Sequence, residues 1–198
     1  MKLEEKAEFL SEKFEGEDFS GIELSAKEFD GCSFDSCNFS DSIFNKCKFI
    51  DCEFNKCNLS NIKIGYSKFA DVSFYESKLI GVNWTDASWS SWVSHSPIKF
   101  YKSIINDCSF YGLTLQELIL EECKAHQVDF RTGDFSDANF NHTDFTGSSF
   151  GKTNLTAADF TEAINYDIDI FNNRIERAKF SRFEAVRLLD SLEIELVD

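Results

Sequence analysis

Residues 29–59 read FDGCSFDSCNFSDSIFNKCKFIDCEFNKCNL. A large apolar residue falls on every fifth position: Phe29, Phe34, Phe39, Phe44, Phe49, Phe54 and Leu59. Two residues before most of them stands a small one: Cys32, Cys37, Ser42, Cys47, Cys52 or Cys57. The positions between are mostly Asp, Ser, Asn and Lys. Helices repeat at 3.6 residues and strands at 2, and neither period gives this pattern. A fixed short repeat decides the fold before any local propensity is weighed.

The rhythm extends in both directions. It begins at Phe9, Phe14, Phe19 and Leu24, and continues past Leu59 through Ile64, Phe69, Phe74, Leu79, Trp84 and Trp89. It breaks in residues 90–99 (SSWVSHSPIK), which hold the only proline, Pro97. It then resumes one residue out of phase, from Phe100 and Ile105 to Leu155 and Phe160, weakens through Asn165, Ile170 and Ile175, and closes at Phe180. Five residues suit one short extended side and one turn, with the large residue inward. Four sides close a square of roughly twenty residues, and such squares stack at the strand spacing of about 4.8 Å. Residues twenty apart should then form ladders. Phe14, Phe34, Phe54 and Phe74 make one, and Phe19, Phe39, Leu59 and Leu79 another. Phe130, Phe150 and Ile170 make a third, while Cys32 lies over Cys52 and Cys37 over Cys57. Ladders of this kind fill a solenoid, and stacked rings favour offset or edge contacts. The expected fold is an all-β solenoid.

Composition agrees. The chain has 198 residues, 42% hydrophobic, which suits one domain with a sizeable core. Of its 22 phenylalanines only Phe171 and Phe183 fall outside the register. The net charge of −15 predicts repulsion of nucleic acid and anionic membranes and attraction to basic surfaces. The plainer reading is that acidity keeps the protein soluble. Residues 1–14, MKLEEKAEFLSEKF, contain no apolar signal-peptide core, and no apolar run reaches membrane-spanning length. A cytoplasmic protein with no membrane partner and no direct nucleic-acid contact is expected. All seven cysteines sit two residues before a register position, in a slot for a small, soft side chain. In a reducing compartment they read as buried free thiols. Their spacing of five is not C-x-x-C, and no His completes a metal site. His95, His126 and His142 lie off the inward positions, and no triad, phosphate loop or dinucleotide motif occurs. A filled rod has no internal pocket for a substrate. No catalytic residue, metal or cofactor is therefore expected, and the chain does not read as an enzyme.

The tail departs from the rhythm. Ser181 and Glu184 form a capping-box pattern, and Phe183, Val186, Leu189 and Leu192 follow at helical spacing. Residues 193–198 alternate like a strand. The expected plan is an N-terminal cap over 1–8 and a β-helix over 9–180 in two blocks. The phase slip at 90–99 is a net insertion of one residue, and 181–198 form a C-terminal helix and strand. That tail either caps the open end of the solenoid or joins two copies about a two-fold axis.

Ala138-Asn139-Phe140, Ala158-Asp159-Phe160 and Val128-Asp129-Phe130 resemble the A(D/N)LXX consensus of the pentapeptide-repeat family. The resemblance implies a right-handed quadrilateral β-helix of about eight coils, roughly 40 Å long. Residues 178–198, AKFSRFEAVRLLDSLEIELVD, resemble the C-terminal segment of the Qnr-type branch, where a helix and strand join two rods end to end. That role carries over to Phe183, Val186, Leu189, Leu192, Ile194 and Leu196, and implies a homodimer through the C-terminus, with a monomeric cap as the alternative. Rods of the Qnr, MfpA and McbG type resemble DNA in size and charge, bind type II topoisomerases, and protect or inhibit DNA gyrase. The implied function is a non-catalytic DNA mimic that occupies DNA gyrase or topoisomerase IV, in quinolone or toxin resistance. The rival is a general protein-interaction scaffold. Between Val128 and Glu162 the outward positions hold Asp129, Asp134, Asp137, Asp144, Asp159 and Glu162, against Arg131 and Lys152 alone. They are the candidate acidic binding face, with a solvated repeat surface as the plain alternative. Trp92, near His95 and Pro97, is the candidate loop contact.

Overall fold

Each inward residue of the repeat is flanked by two outward ones, so the sides of a coil are short strands, or single bridges between turns, with the central residue buried. In the computed structural model, which describes residues 3, 6–89, 96–192, 194, 195 and 197, these strands stack in parallel on the sides of a four-cornered coil. One side carries Glu8–Leu10, Glu28–Asp30, Lys48–Ile50 and Lys68–Ala70. The next carries a six-stranded sheet: Lys13–Glu15, Ser33–Asp35, Glu53–Asn55, Val72–Tyr75, Ile98–Tyr101 and Ile119–Glu121. Partners are twenty residues apart, as in Phe14↔Phe34 and Phe34↔Phe54. The solenoid has about eight turns.

The corners explain why the outward positions tolerate many residue types. The residue two after each inward one turns the chain with a positive φ. Twenty-four non-glycine residues among those described have φ between 48° and 62°, nearly all of them at corners. That conformation costs roughly 1–2 kcal/mol per L-residue. It is offset because the corner amides donate to carbonyls of the next coil, most of them nineteen residues ahead: Ser11 to Asp30 (2.8 Å), Lys46 to Gly65 (2.9 Å) and Asp137 to Thr156 (2.9 Å).

Inside, rings pack in two directions. Along the rod Phe14, Phe34, Phe54 and Phe74 stack nearly parallel, with centroids 4.8, 4.6 and 5.1 Å apart. Around a coil neighbouring rings meet edge-on, as in Phe29–Phe34 at 67°. Burying each phenylalanine contributes roughly 1.5–3 kcal/mol. Phe171 and Phe183, the two outside the register, are also the two that face solvent, at 74% and 92% exposure.

The slot two residues before each ring has a polar use as well as a size limit. The Cys52 and Cys57 thiols donate to the carbonyls of Phe29 and Phe34, twenty-three residues back, both at 3.4 Å. Ser67 and Ser77 hydroxyls donate to Phe44 and Phe54 carbonyls in the same way, and Thr153 to that of Phe130. Cysteine, serine and threonine use the donor there, while Ile62, Val72, Val82, Leu118 and Ala138 fill the same buried slot without one.

Three expectations need correction. The break near Pro97 adds six residues to one coil, not one: Phe74 pairs with Phe100 and Ile104 with Lys78, at a spacing of twenty-six. Six is one repeat unit plus one residue, and the phase slip alone reveals only the remainder. The ladder Phe130–Phe150–Ile170 ends at Phe150. Lys152 donates to the carbonyl twenty ahead, at Asn172, instead of nineteen, a local irregularity, since Asp144↔Ile164 before it and Asn154↔Arg174 after it keep the spacing of twenty. Tyr166 and Ile168 are buried there while Ile170 is only half-buried. The tail is a 3₁₀ helix, Glu184–Leu192, and its expected capping box does not form. Ser181 Oγ instead accepts from the Glu162 amide (2.8 Å), and Glu184 Oε1 from the Asn165 amide (2.8 Å). Ile194 lies in no strand.

Candidate functional site

With the interior filled, the outside carries what distinguishes one part of the rod from another. The strand ladders show where each candidate acidic residue lies. Asp129 lies on the ladder Ser109–Asp129–Ser149, and Asp134 on Thr114–Asp134–Asn154. Asp144 lies on Lys124–Asp144–Ile164, and Asp159 on Asn139–Asp159. These are four different sides of the coil. Asp137 and Glu162 are exposed at two corners. The six residues thus surround the rod and do not share one face. Their positions modulo twenty carry that information in the sequence.

Four of the six have a local role that explains the Asp or Asn before each inward residue. The carboxylate accepts the amide of the residue two ahead and closes the turn. Asp129 takes the Arg131 amide (3.1 Å), Asp134 that of Ser136 (3.0 Å), Asp144 that of Thr146 (3.0 Å) and Asp159 that of Thr161 (2.9 Å). Further partners tie them down. Arg131 grips Asp129 with two nitrogens at 2.9 and 2.7 Å, which holds this carboxyl below the usual range. Burial would raise the Asp144 carboxyl. Hydrogen bonds from Asn165, Thr146 and His126 outweigh it, and the group lies far below the ordinary carboxylate value. His126 Nε2 stands 2.9 Å from Asp144 Oδ2. At Asp159 burial pulls the same way, and Lys179 and Thr161 outweigh it, so this carboxyl too is lowered.

Charge is uneven along the rod instead of around it. Residues 1–35 hold eleven acidic and four basic side chains, and residues 106–198 hold eighteen and eight. Residues 36–105 between them hold six acidic and eight basic. Lys48 and Lys68 are direct partners on one side of this middle section. The rod is acidic at both ends and near neutral at its waist.

At the C-terminal end, Phe183, Val186, Leu192 and Ile194 are exposed and Leu189 is half-buried. The side chain that packs onto the core is Leu188, which the helical spacing had not singled out. Trp92, His95 and Leu196 lie outside the described residues. Trp84 is fully buried; Trp89 is partly buried, stacks on Phe69, and donates its indole N–H to the Trp84 carbonyl (2.9 Å). Among the described residues no helix is long and apolar enough to cross a membrane.

A family model described as a pentapeptide repeat region matches residues 27–93 and 95–160. No curated protein matches the sequence significantly. Among solved structures, a trypsin-treated point variant of QnrB1, described as a plasmid-mediated fluoroquinolone resistance protein, superposes with a TM-score of 0.73 at 19% identity, covering 96% of this chain and 100% of that one. A second trypsin-treated variant of QnrB1 gives a TM-score of 0.55 at 22% identity, over 96% and 99%. HetL, involved in heterocyst differentiation regulation in the cyanobacterium Nostoc, gives 0.69 at 13% identity, over 86% and 84%. At these identities the likeness is one of fold.

Proposed function

The chain belongs to the pentapeptide repeat family, and from that footing we propose that it is a non-catalytic, DNA-like rod that occupies a type II topoisomerase and modulates or protects it. DNA gyrase is the first target and topoisomerase IV the second. The reading is carried by charge on this particular shape: a net −15 displayed on a filled solenoid, 96% of which superposes on a trypsin-treated variant of QnrB1. A groove built for duplex DNA receives dense, regular negative charge, and a rod with acidic ends offers it one. Binding then works by occupancy, and protection against a quinolone or a toxin follows from exclusion. The exposed apolar side chains Phe183, Val186, Leu192 and Ile194 serve in this reading as a two-fold contact that joins two rods into a homodimer.

A general protein-interaction scaffold is the second reading. It is favoured by the spread of the six carboxylates over four sides and by their engagement in turns and ion pairs.

Gyrase supercoiling and fluoroquinolone-stabilised cleavage, measured with the protein titrated in, separate the two. The topoisomerase reading expects inhibition or protection at micromolar protein, weakened by salt. Absence of inhibition, protection and salt-sensitive binding leaves the scaffold. Solution scattering tests the homodimer, which is twice the length of one rod.

A further inference from the structure

The ring column Phe110–Phe130–Phe150 has no further member, because Ile170 is carried out of register. A cleft of about 910 Å³ opens there, between the last coil and the segment Glu184–Leu192. Phe150, Tyr166, Asp167, Arg187 and Asp190 all border it. Tyr166 is fully buried, and its hydroxyl has no hydrogen-bond partner in the structure. An unpaired buried hydroxyl costs roughly 1–3 kcal/mol, and such groups ordinarily find a partner. The cationic groups in the wall are already engaged. Arg187 donates to Glu184 and to Asn165 Oδ1 (3.1 Å), and Arg131 is held by Asp129. Asp167 and Asp190 make no side-chain hydrogen bond or ion pair with any described residue. The cleft therefore combines an aromatic floor, an unpaired phenol and two uncompensated carboxylates.

We propose that this cleft binds a cationic alkyl group, a guanidinium or ammonium on a short apolar stem. Asp167 and Asp190 hold its charge, the Tyr166 hydroxyl accepts one of its N–H groups, and the stem lies over Phe150. The group belongs either to an arginine or lysine side chain of a partner protein or to a free polyamine. The inference does not depend on a topoisomerase target.

The test is titration of the full chain with N-acetyl-arginine amide, N-acetyl-lysine amide and spermidine at physiological salt, followed by amide chemical shifts. Saturable shifts confined to Gly147, Gly151 and Asp167 are expected. Asp190→Asn and Tyr166→Phe should each weaken binding about threefold or more. Tyr166→Phe keeps the ring, so its thermal midpoint reports whether the fold is intact. Asp51→Asn removes one charge at a distant corner and should leave affinity unchanged. Tighter binding of the blocked amino acids identifies a protein side chain, and tighter binding of spermidine a free polyamine. No saturation, shifts spread along the rod, or equal loss in Asp51→Asn overturns the proposal.

Discussion

The hydroxyl of Ser181 accepts the amide proton of Glu162, nineteen residues earlier, at 2.8 Å. Nineteen is the offset at which most corner amides donate to the next coil's carbonyls. Glu184 repeats the arrangement for Asn165, again nineteen residues apart. Two side chains thus stand where backbone carbonyls of a further coil would be, and the solenoid ends without leaving these donors open.

Ser181→Ala and Glu184→Ala should therefore loosen the end of the rod and not its middle. Each should cost roughly 0.5–1.5 kcal/mol in urea unfolding. Hydrogen exchange locates the effect: the Glu162 and Asn165 amides should lose protection while that of Phe39 keeps it. Unchanged exchange at both would show that the two side chains do not close the end.

Phe39 and Phe183 make an opposed pair. Phe39→Ala empties a ring position between Phe34 and Phe44 and should cost about 3–5 kcal/mol, a large share of a typical stability. Phe39→Asp should abolish folding, since it buries an unpaired charge. Phe183→Ala should change monomer stability by no more than about 0.5 kcal/mol. Denaturant midpoints at fixed protein concentration distinguish these outcomes. A folded, soluble Phe39→Asp variant is incompatible with the inward register.

Donor and size requirements at the slot can be separated. Cys52→Ser keeps a donor for the Phe29 carbonyl and should be tolerated, whereas Cys52→Ala should cost roughly 0.5–1.5 kcal/mol. At Gly133 even a methyl is too much, since a Cβ would lie 2.5 Å from the Phe135 ring, so Gly133→Ala should cost about 1–3 kcal/mol. Burial pushes the Cys52, Cys108 and Cys123 thiols up to about 12. A disulfide reagent at pH 8 should accordingly leave these three unreacted until the protein is unfolded. Cys37, whose thiol is lowered by the neighbouring Cys57, is equally buried at 1% exposure and should stay protected with them.

Asp129, Asp144 and Asp159 all have carboxyls held below the ordinary value in the folded protein. A depressed folded pKa gives stability that is fully present above about pH 4, the unfolded value, and is lost as pH falls through the folded one. The thermal midpoint should drop steadily below about pH 4. Asp144→Asn should lower the midpoint at pH 7 and flatten that acid dependence. A variant with the same acid slope as the parent would remove Asp144 from the account.

The five-residue spacing made Phe39, Cys52 and the corner positions readable, because an inward residue must be large and its neighbours polar. It also fixed which phenylalanines would be exposed. Other properties depend on counting beyond one unit. The six-residue insertion shows only a remainder of one against a period of five. The side of the rod that Asp129 or Asp159 faces is visible only against a period of twenty. Ser181 looked like a helix cap because local pattern cannot show that Glu162 stands below it. The orphan hydroxyl of Tyr166 has no pattern in the chain at all, since Tyr166 lies outside the five-residue register.

The coil that contains Pro97 offers a practical opening. Phe74 stacks on Phe100 at 5.1 Å and 12°, as closely as Phe54 on Phe74, although twenty-six residues separate the first pair. The spine runs through this level as if the extra chain were absent. Register is therefore kept between the two blocks across six additional residues. A peptide epitope or a small folded domain grafted there would be carried on a rigid mast at a known height, between an acidic tip and a neutral waist.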